Sequence, residues 1–153
     1  MIRFWLFLHI LGFTLWVGGA LAAMVAGIAS RREDRGGLGA VVRTQAAVQK
    51  ILVAPGALLT VLSGLMLTFS VTSLEGGAAG FSFWLVLMQG AGIIGALIVL
   101  LVGLPTAAKL GRLDAEGSGA AYFDELRQRQ RVVGSIAGVF ALVALVGGAM
   151  VAG

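Results

Sequence analysis

The chain has 153 residues, 59% of them hydrophobic and only 12% charged, with a mean hydropathy of +1.00. That is more apolar surface than a water-soluble domain of this length buries, so a bilayer is the expected solvent. The absence of cysteine excludes disulfides, thiolate metal sites and iron–sulfur ligation, and the net charge of +4 is spread along the chain without forming a basic domain for nucleic acid.

Four apolar runs, at about residues 4–29, 51–72, 81–105 and 132–152, are each long enough to cross hydrocarbon about 30 Å thick at about 1.5 Å per residue. The first carries His9, with Gly12, Trp16, Gly19 and Ala23 on roughly the same helical face. Its Ala20–Ala23 stretch is similar to a signal-peptide cleavage region. The run is longer than such segments usually are, and it is expected to stay as a span. After Arg31, Arg32 and Arg35, the pattern from Leu38 to Ile51 predicts that helix two begins before it enters lipid, and Pro55 is expected to kink it. The connection Ser73–Gly80 carries Glu75 as its one charge, and its glycines Gly76, Gly77 and Gly80 precede no phosphate-binding helix. Ser82 is the predicted cap of helix three, which Pro105 should bend or end. Lys109, Arg112, Arg127, Arg129 and Arg131 mark the second basic connection. There Ser118 is a candidate cap for an extension of helix four, and Glu125 stands four residues before Arg129.

Ten of the eleven basic residues lie in or beside these two connections, Arg3 being the exception. The positive-inside rule then places both basic loops in the cytoplasm and both termini outside, with Trp5 and Trp84 at the outer interface. The expected fold is an all-α, four-helix transmembrane bundle forming one integral membrane domain, with helical extensions in two cytoplasmic loops. A bacterial cytoplasmic (inner) membrane is the expected location. The partners expected are the lipid bilayer and a membrane-protein complex or homo-oligomer, with no nucleic acid. Arg43, Lys50, Arg127, Arg129 and Arg131 would form a docking surface for a partner or for anionic head groups.

No second histidine and no carboxylate lies within a span, so no residue is assigned a catalytic role. His9 is an ionisable group at outer-leaflet depth, which makes it the candidate metal ligand or a polar interhelical contact. Met66, Met88 and Gln89 should lie at a similar depth, as possible axial or polar partners, and Trp16 lies two turns along from His9. Small residues after His9 would leave room for a planar ring against the backbone, and the same stripe would serve plain helix packing equally well. Gln89, Thr14, Thr60 and Ser63 each need a hydrogen-bond partner in the bundle, and Gly134 with Gly138 forms a GxxxG pair.

The LHxLG…WVGG stretch formed by Leu8, His9, Leu11 and Gly12 with Trp16, Val17, Gly18 and Gly19 resembles the first helix of CopD-like membrane domains and related small membrane proteins of unknown function. More distantly it is similar to HemJ-type protoporphyrinogen oxidases, and the likeness continues through Ser63, Gly64, Leu65 and Trp84. In those groups the matching histidine is regarded as a metal or haem contact, which the resemblance carries over to His9 alone. Their third helix commonly has a lysine after the tryptophan, where this chain has Gln89. That departure removes a cation able to meet a propionate and counts against porphyrinogen oxidation. The resemblance implies a metal or haem contact at His9. The expected function is that of an accessory subunit of a larger membrane redox or electron-transport complex, contacting haem b or another tetrapyrrole through His9. A HemJ-like oxidoreductase and a CopD-like copper transporter are the alternatives.

Overall fold

A computed structural model describes residues 1–74 and 82–152, so most of the predicted turn, including Glu75, Gly76, Gly77 and Gly80, lies outside the described residues. The helices are α1 (Ile2–Ala29), α2 (Arg35–Val48), α3 (Ala54–Leu74), α4 (Phe83–Ile98), α5 (Leu104–Leu110) and α6 (Ala120–Ala152). One π-helical turn, Gln49–Val53, joins α2 to α3, and another, Val99–Gly103, joins α4 to α5. The described chain therefore makes four rods, each long and apolar enough to span a membrane. The fold is the expected all-α four-helix bundle, and the second and fourth rods carry the expected helical extensions.

The two π turns have a common cause. Proline lacks an N–H, and its ring crowds the carbonyl four residues back, here that of Ile51 for Pro55 and Leu101 for Pro105. A wider turn placed just before each proline relieves that crowding: Ala54 N–H reaches back to Gln49 O, and Leu104 N–H to Val99 O. Pro105 consequently does not end its rod, which continues to Leu110. Asp34 caps α2 by accepting from Gly37 N–H at 2.7 Å, and Ser82 caps α4 by accepting from Leu85 N–H at 3.2 Å. The candidate cap Ser118 lies instead inside a short 3-10 turn, Gly117–Gly119, which Gly117 enters with φ +74°.

α1 packs along α3 and α4 along α6, whereas the two pairs meet each other over less surface. A Cβ on Gly12 would stand 2.8 Å from Thr60 N, and one on Gly56 only 2.6 Å from Trp16 N, so the α1 and α3 backbones touch where glycine allows it. Gly134 and Gly138 have nothing within 4 Å of a Cβ among the described residues. The GxxxG pair thus takes no part in packing within the chain. Trp16, Val53, Ala57, Ala96, Val99, Ala137 and Ala141 form the core inside the apolar section. A second core of Leu38, Val42, Leu110, Ala115, Phe123 and Leu126 closes the basic end, where α2 and α6 extend beyond the spans.

Outside these cores the rods are apolar all round. Only 17–33% of the residues in each rod's apolar window are buried, and side chains such as Phe69 (64% exposed) and Leu101 (69%) face outward. Water would not tolerate such a surface, and lipid does. At the end carrying the termini, Trp5 and Trp84 sit in the first turns of α1 and α4, edge-on to Phe4 and Phe83 with ring centroids 5.6 and 5.3 Å apart. This is the placement of an aromatic interface belt.

Polar side chains at the basic end tie the rods together. Arg35 grips Asp124 with two bonds of 3.1 and 3.0 Å, and the Arg127 guanidinium donates to Ser30 Oγ at 2.8 Å. Arg127 is therefore turned into the protein and does not belong to an outward docking surface. Glu125 makes no ion pair with Arg129; among the described residues the Arg35–Asp124 pair is the one salt bridge.

Candidate functional site

Between the two helix pairs, toward the end that carries the termini, lies a partly enclosed cavity of about 260 Å³. His9, Thr60, Gly64, Met88, Gln89 and Gly148 are among its lining residues, so all four rods contribute a wall. Its surface is otherwise almost wholly apolar.

His9 reaches the cavity in a defined orientation. Its Nδ1 is 2.9 Å from the Thr60 carbonyl oxygen on α3, with Ser63 Oγ at 3.4 Å. A carbonyl has no proton to give, so the shared hydrogen belongs to Nδ1 and the lone pair of the neutral ring belongs to Nε2. Ser63 directs its own hydroxyl to Leu59 O at 2.5 Å. Among the described residues nothing hydrogen-bonds Nε2. The ring lies where a side chain on Gly64 would be, since a Cβ there would meet its Cε1 at 3.0 Å. The absent side chain at Gly64 is what admits the imidazole against α3.

The other predicted site residues divide. Trp16, only 2% exposed, is both core and cavity wall, with its ring edge against Gly95 of α4. Met88 packs its backbone on Gly147 and its sulfur over Gly148 of α6, and it lines the cavity. Gln89 also lines it, and its amide nitrogen donates to Thr68 Oγ1, which in turn donates to Gly64 O at 3.1 Å. Met66 is 43% exposed on the outer face of α3 and is not part of the cavity. The structure thus brings His9, Trp16, Met88 and Gln89 together and leaves Met66 outside.

Two expectations about neighbours need correcting. Thr14 and Thr60 do not bond across the bundle; they turn back on Ile10 O and Gly56 O of their own helices, at 2.8 and 2.7 Å. A planar ring also has no room over Gly12 and Gly19, because Thr60 and Val53 of α3 fill that space. The open volume lies on the other side, over Gly92, where a Cβ would meet nothing within 4 Å. The Thr60 carbonyl, which fixes the His9 tautomer, carries no sequence signal, since every residue but its side chain looks alike in a helix. Gly92 and Gly148 had only the general signal of small residues in spans, whereas Gly64 was also among the residues that carry the resemblance.

No family model, curated protein or solved structure matches the chain. The chemistry of the cavity therefore rests on its own residues.

Proposed function

We propose that the protein is an accessory subunit of a larger membrane redox or electron-transport complex, and that His9 contacts the metal of haem b or another tetrapyrrole at the cavity between its helix pairs. The observation that carries this reading is the His9 tautomer. Histidines that bind metals commonly donate one ring N–H to a carbonyl, which orients the other nitrogen as the ligand. Here Nδ1 serves Thr60 O, and among the described residues nothing hydrogen-bonds Nε2 of a ring that lines the cavity. Among the described residues no three His, Asp or Glu side chains converge. A metal at His9 would accordingly bring most of its own ligands, as a tetrapyrrole does.

The residues fit such a group in part. A cavity of about 260 Å³ is below the roughly 300–1,000 Å³ of typical ligand sites, so a macrocycle would extend beyond it. A second chain would then cover the remainder, which favours a subunit over a free-standing enzyme. Met88 is the candidate second contact within this chain. The resemblance to CopD-like and HemJ-type proteins agrees with a haem contact at the same histidine. The proposed setting is a bacterial inner membrane, with the basic end in the cytoplasm.

Visible spectra of the natively extracted protein, oxidised and reduced, test the reading. A Soret band in the wild type that disappears in His9→Ala is the expected result. Extraction without tetrapyrrole absorbance, or an unchanged band in His9→Ala, overturns it.

A further inference from the structure

At the basic end a second cavity, of about 490 Å³, lies between the last turns of the third rod and α6. It has two unlike halves. Leu101 and Pro105 form an apolar wall continuous with the outward face of the span, while Lys109, Arg112, Tyr122 and Arg129 form the rim. All four rim side chains are exposed. The Lys109 ammonium stands 5.7 Å from the centre of the Tyr122 ring, which holds its stem along the groove.

None of the three cations has a carboxylate within 4.0 Å among the described residues. Three like charges thus share the rim of one groove, none of them in an ion pair among the described residues. The groove also straddles the level at which an apolar rod gives way to basic residues. An anion placed there needs an apolar part in line with Leu101 and a charged part among the cations, and a phospholipid has that form.

We propose that this groove is a binding site for one anionic phospholipid of the surrounding bilayer. Its phosphate sits among Lys109, Arg112 and Arg129, and an acyl chain lies along Leu101 and Pro105. Arginine meets phosphate oxygens with paired N–H donors and lysine with a compact charge, so the rim suits a phosphodiester better than a carboxylate surface. The site is independent of His9 and of any group bound in the other cavity.

Native mass spectrometry of the protein released from bilayers of equal parts phosphatidylglycerol and phosphatidylcholine reads the site directly. The expected result is a retained phosphatidylglycerol adduct, favoured over phosphatidylcholine by at least about fivefold, the weight of one basic side chain at an anionic surface. It should be lost in K109Q/R112Q/R129Q and persist in R31Q/R32Q/R43Q, which removes the same charge from exposed positions outside the groove. The single variant R129Q, on an exposed face of α6, should weaken it without disturbing the fold. Equal retention by both triple variants would mean surface charge alone and overturn the proposal. So would absence of lipid preference, or displacement of the adduct by excess inorganic phosphate, which would assign the rim to a free anion.

Discussion

His9 ties α1 to α3 through the Thr60 carbonyl, and in a bilayer such interhelical bonds are worth about 0.6–2 kcal/mol, because the separated helices find other partners. His9→Ala should therefore lower stability by that amount, measured by unfolding in mixed micelles of rising dodecyl sulfate content, while still inserting. A larger loss would mean that the ring supports more than one bond. At the basic end the comparison runs between packing and charge. Phe123 is 0% exposed in the second core, and Phe123→Ala should cost about 3–5 kcal/mol. The Arg35–Asp124 pair is bidentate but each side chain is 48% exposed, so solvent screens it and Arg35→Gln should cost under about 1 kcal/mol in the same assay. If the two variants proved equal, the end of the bundle would be held by charge and not by its core.

The helices pack where their surfaces are smallest. Gly56 meets the Trp16 backbone so closely that any side chain must push α3 away from α1. Gly56→Leu should cost at least the 1–3 kcal/mol typical of overpacking, whereas Gly138→Leu, facing open space on α6, should stay within about 0.5 kcal/mol. Unfolding of the two variants side by side checks the assignment of faces. Matching losses would show that Gly138 is buried in an interface between copies. The prolines act at the same scale. Each is preceded by a π turn, and the turns come close enough that a Cβ on Gly103 would meet the Gln49 amide at 3.1 Å. The two interruptions in the helical ladder thus support one another across the second and third rods.

For the molecule as a whole, the division into two close helix pairs leaves a cavity between them at one end and joins them through a small core at the other. Charge predicts the orientation in the membrane, with the basic end, which carries ten of the eleven Lys and Arg residues, expected in the cytoplasm. The chain has no cysteine, so single cysteines report cleanly. In intact cells Gly77→Cys should react with an impermeant thiol reagent and Gly36→Cys should not. The reverse pattern would invert the molecule, and equal labelling would break the arrangement of spans.

The spans and the Ser82 cap were legible in the sequence because each has a local cause, whereas the candidate cap Ser118 lies inside a 3-10 turn. Hydrocarbon thickness sets the length of the apolar runs, and the Ser82 hydroxyl meets an orphan N–H. The inward face was legible for α1, whose buried residues Gly12, Trp16 and Gly19 share the face marked by His9, but not for the other three rods. In a soluble bundle the polar face reveals it, but these rods are apolar on every side, and the periodicity that would mark a core is missing. The sequence alone therefore could not tell Met88 in the cavity from Met66 outside it. Nor could it pair His9 with a backbone carbonyl 51 residues away, the contact that frees Nε2. Local chemistry determined that this chain crosses a membrane four times. Only the close approach of glycine-bearing backbones decided which residues share a site, because that approach depends on the fit of two surfaces and not on the polarity of either.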